Sequence, residues 1–106
     1  MNISDKIYIA GHLGMVGSSI RRKLVREGFN HFVERSSSQL DLREQDQVRA
    51  FFENEKPDYV FLAAAKVGGI IANNTYRADF IYDNLMVQTN VIHEAFRAKV
   101  KKLVFL

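Results

Sequence analysis

The sequence predicts an α/β fold, a doubly wound parallel sheet that is incomplete at its C-terminal end. Two observations predict it. Short apolar runs rich in β-branched and aromatic residues alternate with longer stretches of helical periodicity. The periodic stretches run to ten residues or more, long enough for the right-handed crossovers that join parallel strands.

The elements follow in order. Lys6-Ile7-Tyr8-Ile9-Ala10 reads as the first strand. Val16, Ile20 and Leu24 recur at four-residue spacing with Arg21, Arg22, Lys23 and Arg26 on other faces, an amphipathic helix of about three turns that Gly28 stops. His31 to Arg35 reads as a second strand, and Leu40-Asp41-Leu42 as a very short third one. Val48, Phe51 and Phe52 give the next helix its inner face, and Pro57 ends it, because the residue before a proline is pushed out of the helical region. Tyr59 to Ala65 is almost wholly apolar, which predicts a central parallel strand covered on both faces. Gly68-Gly69 and Asn73-Asn74 predict a loop or irregular turn. A long helix is expected from about Ala78 to Ala98, with Ile81, Leu85, Ile92 and Phe96 covering the sheet and Val87, Val91 and Ala95 on a neighbouring apolar face. Lys102 to Leu106 begins another strand.

With 106 residues, 47% hydrophobic and 25% charged, there is material for one small globular domain and not two. No cysteine is present, which excludes disulfides and thiolate metal sites. The polar stretch from Met1 to Lys6 carries no secretory signal, and the run from Val60 to Ala65 is far short of a membrane span, so neither export nor a membrane partner is expected. Asn2-Ile3-Ser4 and Asn73-Asn74-Thr75 are then chance matches to a glycosylation pattern. The net charge of +3 comes from short clusters, Arg21-Arg22-Lys23 and Lys99 to Lys102, which suit a solvated helix face and a helix C-terminus better than a nucleic-acid footprint. His12, His31 and His93 lack metal-ligand spacing, and only His12 falls near a ligand.

Doubly wound sheets bind ligands beyond the C-terminal strand ends, where strand order reverses. That places the site after Ala10, Arg35 and Ala65. Gly11-His12-Leu13-Gly14-Met15-Val16-Gly17 joins the first strand to the first helix in the pattern G-x-x-G-x-x-G. Glycine there permits a tight turn, close approach of a pyrophosphate, and helix-on-strand packing. The N–H groups of the helix N-terminus then receive the anion. Ordinary loop glycines are the competing reading; a P-loop is ruled out, since no G-x4-G-K-[ST] occurs. At the end of the second strand an acidic residue would favour a free ribose 2′-hydroxyl and an arginine a 2′-phosphate. Arg35 is followed by Ser36-Ser37-Ser38, which favours the phosphate over the rival reading of a solvated loop. Asp41 is either an acceptor for an adenine amino group or a helix-start carboxylate. Ala63, Ala64 and Ala65 either let the backbone approach a ligand or fit under a helix.

These residues resemble the extended short-chain dehydrogenase/reductases, which are Rossmann-like, and within them the branch that makes GDP-L-fucose. The resemblance spans essentially the whole chain. Its most specific part is Phe61-Leu62-Ala63-Ala64-Ala65-Lys66-Val67-Gly68-Gly69-Ile70, continued by Asn73-Asn74-Thr75-Tyr76, Ala78-Asp79-Phe80-Ile81-Tyr82 and Thr89-Asn90-Val91-Ile92-His93. It implies a cytoplasmic, NADPH-dependent enzyme whose substrate is the nucleotide sugar GDP-4-keto-6-deoxy-D-mannose, epimerised at C3 and C5 and then reduced at C4. It also implies that Gly11 to Gly17 bind the pyrophosphate, that Ser37, Ser38, Gln39, Leu40, Asp41 and Leu42 bind the adenosine end, and that Leu106 opens a cofactor-contacting segment. The long helix would help form a homodimer through Val87, Val91 and Ala95. Three positions depart from the family pattern: Leu13 and Ser37 stand where basic residues are common, and Arg77 where proline is usual. NADP preference then rests mainly on Arg35.

Family catalysis uses a serine just beyond the fifth strand, the one that Lys102 begins, and then a Tyr-x-x-x-Lys pair. No tyrosine here has lysine four residues on: Tyr8 leads to His12, Tyr59 to Ala63, Tyr76 to Phe80 and Tyr82 to Met86. Residues 1–106 therefore read as the N-terminal part of a dinucleotide-binding domain, with the catalytic residues and substrate domain absent. A different sugar-nucleotide epimerase or dehydratase, or a non-catalytic dinucleotide-binding module, are the other readings.

Overall fold

The computed structural model describes residues 1–64 and 70–106, with side chains at 1–64, 79 and 81–106. Along the chain run β1 (Ile7–Ala10), α1 (Met15–Arg26), β2 (Phe32–Val33), α2 (Gln45–Glu55), β3 (Tyr59–Leu62), α3 (Ile70–Arg97) and β4 (Lys102–Phe105). The strands form one parallel sheet in the order β2-β1-β3-β4. The chain leaves β1 to one side for β2 and returns to the other side for β3. Strand order therefore reverses at the C-terminal ends of β1 and β3.

Alternation along β1 sorts the core into two layers. Tyr8 and Ala10 face α2 and α3, where they join Val33, Leu40, Val48, Phe51, Phe52, Val60, Leu62, Val91 and Ala95. Tyr8, Phe51 and Phe52 meet there as a ring cluster, with centroids 4.5 Å apart for Tyr8–Phe51 and 5.4 Å for Phe51–Phe52. Ile7 and Ile9 face α1, against Leu24 and Phe29. Gly28 stops α1 with φ +99°, and Lys56 ends α2 in the left-handed region with φ 47°, one residue before Pro57. Both terminators are at the positions the sequence marks.

Four expectations need correction. The strand buried on both faces is β1; in β3 only Val60 and Leu62 are buried, while Tyr59 and Phe61 are half-covered, because α1 lies over β1 and β2. Leu40-Asp41-Leu42 is not a strand. The amides of Gln39 and Leu40 bond to the Ser36 carbonyl and that of Glu44 to Asp41, so local turns use the backbone and the two leucines simply point inward. The long helix starts at Ile70, not Ala78, and takes in Asn73 and Asn74. Asparagine costs a helix only a few tenths of a kcal/mol, and no proline interrupts the stretch, since Arg77 keeps the N–H that a proline would lack. The expected loop at Gly68-Gly69, and the role of Ala65, lie outside the described residues.

The fourth correction concerns which face of α3 meets the sheet. Val91 and Ala95 are fully buried and Val87 packs beside them, whereas Ile81, Leu85, Ile92 and Phe96 are exposed, Phe96 to 80%. The buried face also carries Asn90 and Glu94. Asn90 donates to the Leu42 carbonyl at 3.0 Å, and Glu94 accepts from Arg97 at 3.1 Å and Arg49 at 3.4 Å. Buried polar groups are tolerated when partnered. These two made the true inner face look like the less hydrophobic one.

Candidate functional site

The join between β1 and α1 is built on two backbone requirements. Gly11 has φ +86°, and a Cβ there would come within 2.9 Å of the Ala64 Cα and 3.0 Å of the Ala63 carbonyl. A Cβ on Gly17 would lie 2.0 Å from the Gly11 oxygen. The two glycines thus let the loop fold back on the helix while β3 passes close behind. Gly14 is the N-cap of α1 and its amide bonds the Gly11 carbonyl at 3.0 Å. No side chain caps α1 and its first turn holds no acidic residue. The helix therefore presents free amide donors and the positive end of its dipole, an arrangement suited to an anion.

A cavity of about 580 Å³ opens at this point, at the reversal of strand order. It gathers most of the residues singled out from sequence: Gly11, His12, Leu13 and Gly14 on one wall, Arg35, Ser37, Ser38, Leu40, Asp41 and Leu42 on another, and Ala64 behind. The remaining ones stand around it. Met15 and Val16 are exposed on the first turn of α1, and Gly17 is buried beneath the loop. Gln39 faces away but its Oε1 accepts from the Ser36 amide at 2.9 Å, shaping the serine turn. Ala63 donates its amide to the Ala10 carbonyl at 3.0 Å, and Leu106 donates to Leu62 at 3.2 Å at the same end of the sheet.

Arg35 is held firmly. Its guanidinium donates to the Glu34 carbonyl and to Glu55 Oε2, both at 2.9 Å, and lies 5.5 Å from the centre of the Phe51 ring. Asp41 is gripped by Arg43, which donates from Nε to Oδ1 at 3.0 Å and from Nη2 to Oδ2 at 2.9 Å. Arg43 also pairs with Asp83 of α3 at 3.6 Å. The Asp41 bond, with Asp83 adding charge, raises the guanidinium pKa further above its ordinary value, so Arg43 is a permanent cation on the cavity rim. Asp41, expected as an adenine acceptor or a helix-start carboxylate, is thus first of all an ion-pair partner.

The cavity includes residues that sequence reasoning missed. Tyr8 forms part of its lining, and Asp83, Asn84 and Val87 reach it from α3. Burial pushes the Tyr8 phenol above its ordinary pKa, opposite to what a proton-donating tyrosine needs. The Nδ1 of His12 is buried without a hydrogen-bond partner among the described residues. Among the described residues no group of three or more histidines and carboxylates is placed to hold a metal, and no helix is long and apolar enough to cross a membrane.

Residues 7–106 match the NAD dependent epimerase/dehydratase family. The chain belongs to that family. Among its relatives, a putative GDP-L-fucose synthase 2 of Arabidopsis thaliana is 62% identical over 103 residues, 97% of this chain and 31% of that protein. The GDP-L-fucose synthase of Escherichia coli is 54% identical over 102 residues, 96% of this chain and 32% of its own length. A structure of the GDP-mannoheptose C4 reductase from Campylobacter jejuni with NADP bound superposes with a TM-score of 0.95 at 51% identity, over 99% of this chain and 33% of that one. The chain thus spans about a third of the length of the curated relatives it matches. As a member of this family it carries a Rossmann-like NAD(P)-binding architecture, with the glycine loop and cavity at the sheet's switch point.

Proposed function

We propose that this chain is the NADPH-binding part of a longer enzyme that converts GDP-4-keto-6-deoxy-D-mannose to GDP-L-fucose, by epimerisation at C3 and C5 and reduction at C4. The observation that carries the reading is the single cavity where the glycine loop, Arg35 with its serines, and Leu40, Asp41 and Leu42 converge. The names of the plant and bacterial relatives and the NADP in the Campylobacter jejuni reductase support it.

The residues present fit a phosphorylated dinucleotide. Gly11 and Gly17 keep the loop free of side-chain bulk, and residues 11–17 with the N-terminus of α1 hold the pyrophosphate. Arg35, Ser37 and Ser38 receive the ribose 2′-phosphate, and Gln39, Leu40, Asp41 and Leu42 line the adenosine end. Ala63 and Ala64 keep the far wall low, and Leu106 stands at the adjacent strand end. When bound, NADPH supplies the hydride for the C4 ketone. The proton donors and the acid and base for epimerisation belong to other parts of the enzyme, so residues 1–106 bind and orient but do not catalyse. The whole enzyme is both oxidoreductase and isomerase, works in the cytoplasm, and is a homodimer through the exposed apolar stripe of α3.

The test is to supply the full-length protein with NADPH and GDP-4-keto-6-deoxy-D-mannose. NADPH oxidation with formation of GDP-L-fucose is expected, and none from residues 1–106 alone. A second reading, a GDP-heptose C4 reductase, is favoured by 51% identity to such an enzyme against 54% to the Escherichia coli synthase. Turnover of a GDP-4-keto-heptose but not of the 6-deoxy sugar would establish it instead.

A further inference from the structure

We propose that Glu55 is a positioning residue that sets cofactor choice through Arg35, holding the guanidinium at the cavity while taking up part of its charge. This rests on the reading of Arg35 as the 2′-phosphate partner. Glu55 itself lies outside the main cavity and lines the two smaller clefts that Arg35 also borders.

The carboxylate is in a poor place for the helix that carries it. Glu55 is the last residue of α2, where the negative end of the dipole disfavours an anion, and the last turn contains no basic residue to offset it. Nor does the fold depend on its charge to end the helix. Lys6 Nζ donates to the Glu55 main-chain carbonyl at 2.7 Å and reaches Oε1 only at 3.5 Å, so the bond that caps α2 survives any change of side chain. The feature specific to the carboxylate is its 2.9 Å bond to Arg35.

That bond has two consequences. Together with the Glu34 carbonyl and the Phe51 ring it fixes the plane of the guanidinium, which fits a planar fork for phosphate recognition. It also places a negative charge directly behind the positive one. An approaching phosphate therefore meets Arg35 with its field reduced by Glu55, and discrimination between cofactors with and without the 2′-phosphate is held below what Arg35 alone would give. The two consequences separate in Glu55→Gln, which keeps an acceptor oxygen for Arg35 and removes the charge.

The experiment titrates NADPH and NADH separately into the full-length protein by calorimetry, at low and moderate salt, for wild type, Glu55→Gln, Arg35→Ala and the double variant. Thermal unfolding of each verifies that the folded state is being compared. Glu55→Gln is expected to tighten NADPH about threefold to tenfold, the effect of one partly screened charge, with a steeper salt dependence and unchanged NADH affinity. In the Arg35→Ala background the same change is expected to do nothing. The proposal is overturned if Glu55→Gln leaves NADPH affinity unchanged or weaker, or shifts both cofactors together. Should Arg35→Ala itself leave the NADPH-to-NADH ratio intact, the 2′-phosphate reading fails and the inference with it.

Discussion

Gly14 and Gly17 sit three residues apart in one loop, yet the fold should respond to them very differently when a methyl group is added. At Gly14 the added Cβ would lie 3.4 Å from the Gly11 oxygen, with φ −75°, so Gly14→Ala should cost the fold about 1 kcal/mol or less, while its methyl, on the cavity wall where the pyrophosphate approaches, should weaken NADPH binding. At Gly17 the added atom meets that oxygen at 2.0 Å. Gly17→Ala must move backbone, at the upper end of the about 1–3 kcal/mol typical of overpacking, and should abolish NADPH binding. Denaturant titration and cofactor titration of both variants check this. A different residue-scale prediction concerns Asp5, at the opposite end of the sheet. It is buried and accepts from the Asn2 amide at 2.9 Å and from Lys101 Nζ at 3.2 Å. The Asn2 hydrogen bond, with help from Lys101, holds its carboxyl below the ordinary value of 3.8. A depressed native pKa stabilises the fold above the unfolded value and loses that effect as pH falls toward the native one. Asp5→Asn should therefore be less stable than wild type at pH 7, and the gap should narrow below about pH 3.8. Urea melts of both proteins at neutral and acid pH measure it.

At the scale of elements, the residues that obey backbone rules were the legible ones. Positive φ at Gly11 and Gly28 and the stop before Pro57 are dictated within a few residues, so the ends of α1 and α2 and the glycine loop could be read directly. Arg35 with Ser37 and Ser38, and Asp41, were readable because they follow strand ends in a sheet of known switch geometry, whereas Leu40 and Leu42 entered only through the family resemblance. Asp83, Asn84 and Val87 were not readable, since α3 reaches the cavity from forty residues further along the chain, by tertiary packing alone. The orientation of α3 failed for a different reason: Glu94 and Asn90 are polar but internally paired, and hydropathy cannot see pairing. The corrected orientation changes what substitutions should do. Val91, expected from the sequence at a dimer seam, is fully buried against the sheet, so Val91→Glu should unfold the protein, burying an unpaired charge at a cost of about 3–5 kcal/mol. Phe96→Glu, on the exposed stripe, should change the stability of the subunit by about 0.5 kcal/mol or less. Thermal melts of the two variants distinguish the faces.

For the whole molecule, the stripe of Ile81, Leu85, Ile92 and Phe96 is an apolar surface along one side of a helix, which a monomer seldom leaves in water. A twofold interface is self-complementary, so one such stripe serves both subunits of the proposed dimer. Sedimentation of the full-length protein should show a dimer that Phe96→Glu weakens; an unshifted dimer would place the interface elsewhere. The two ends of the sheet are expected to divide the work. Asp5, Asp58, Lys6 and Lys101 tie the N-terminal ends of the strands together, while the C-terminal ends of β1 and β3 open into the cavity. Hydrogen–deuterium exchange of the full-length protein, with and without NADPH, tests that division most directly. Protection confined within this segment to residues 11–17 and 35–42, and absent around Asp5 and Lys101, is the predicted result. Protection that leaves the glycine loop unchanged and appears at the Asp5 end or along the stripe of α3 would contradict it.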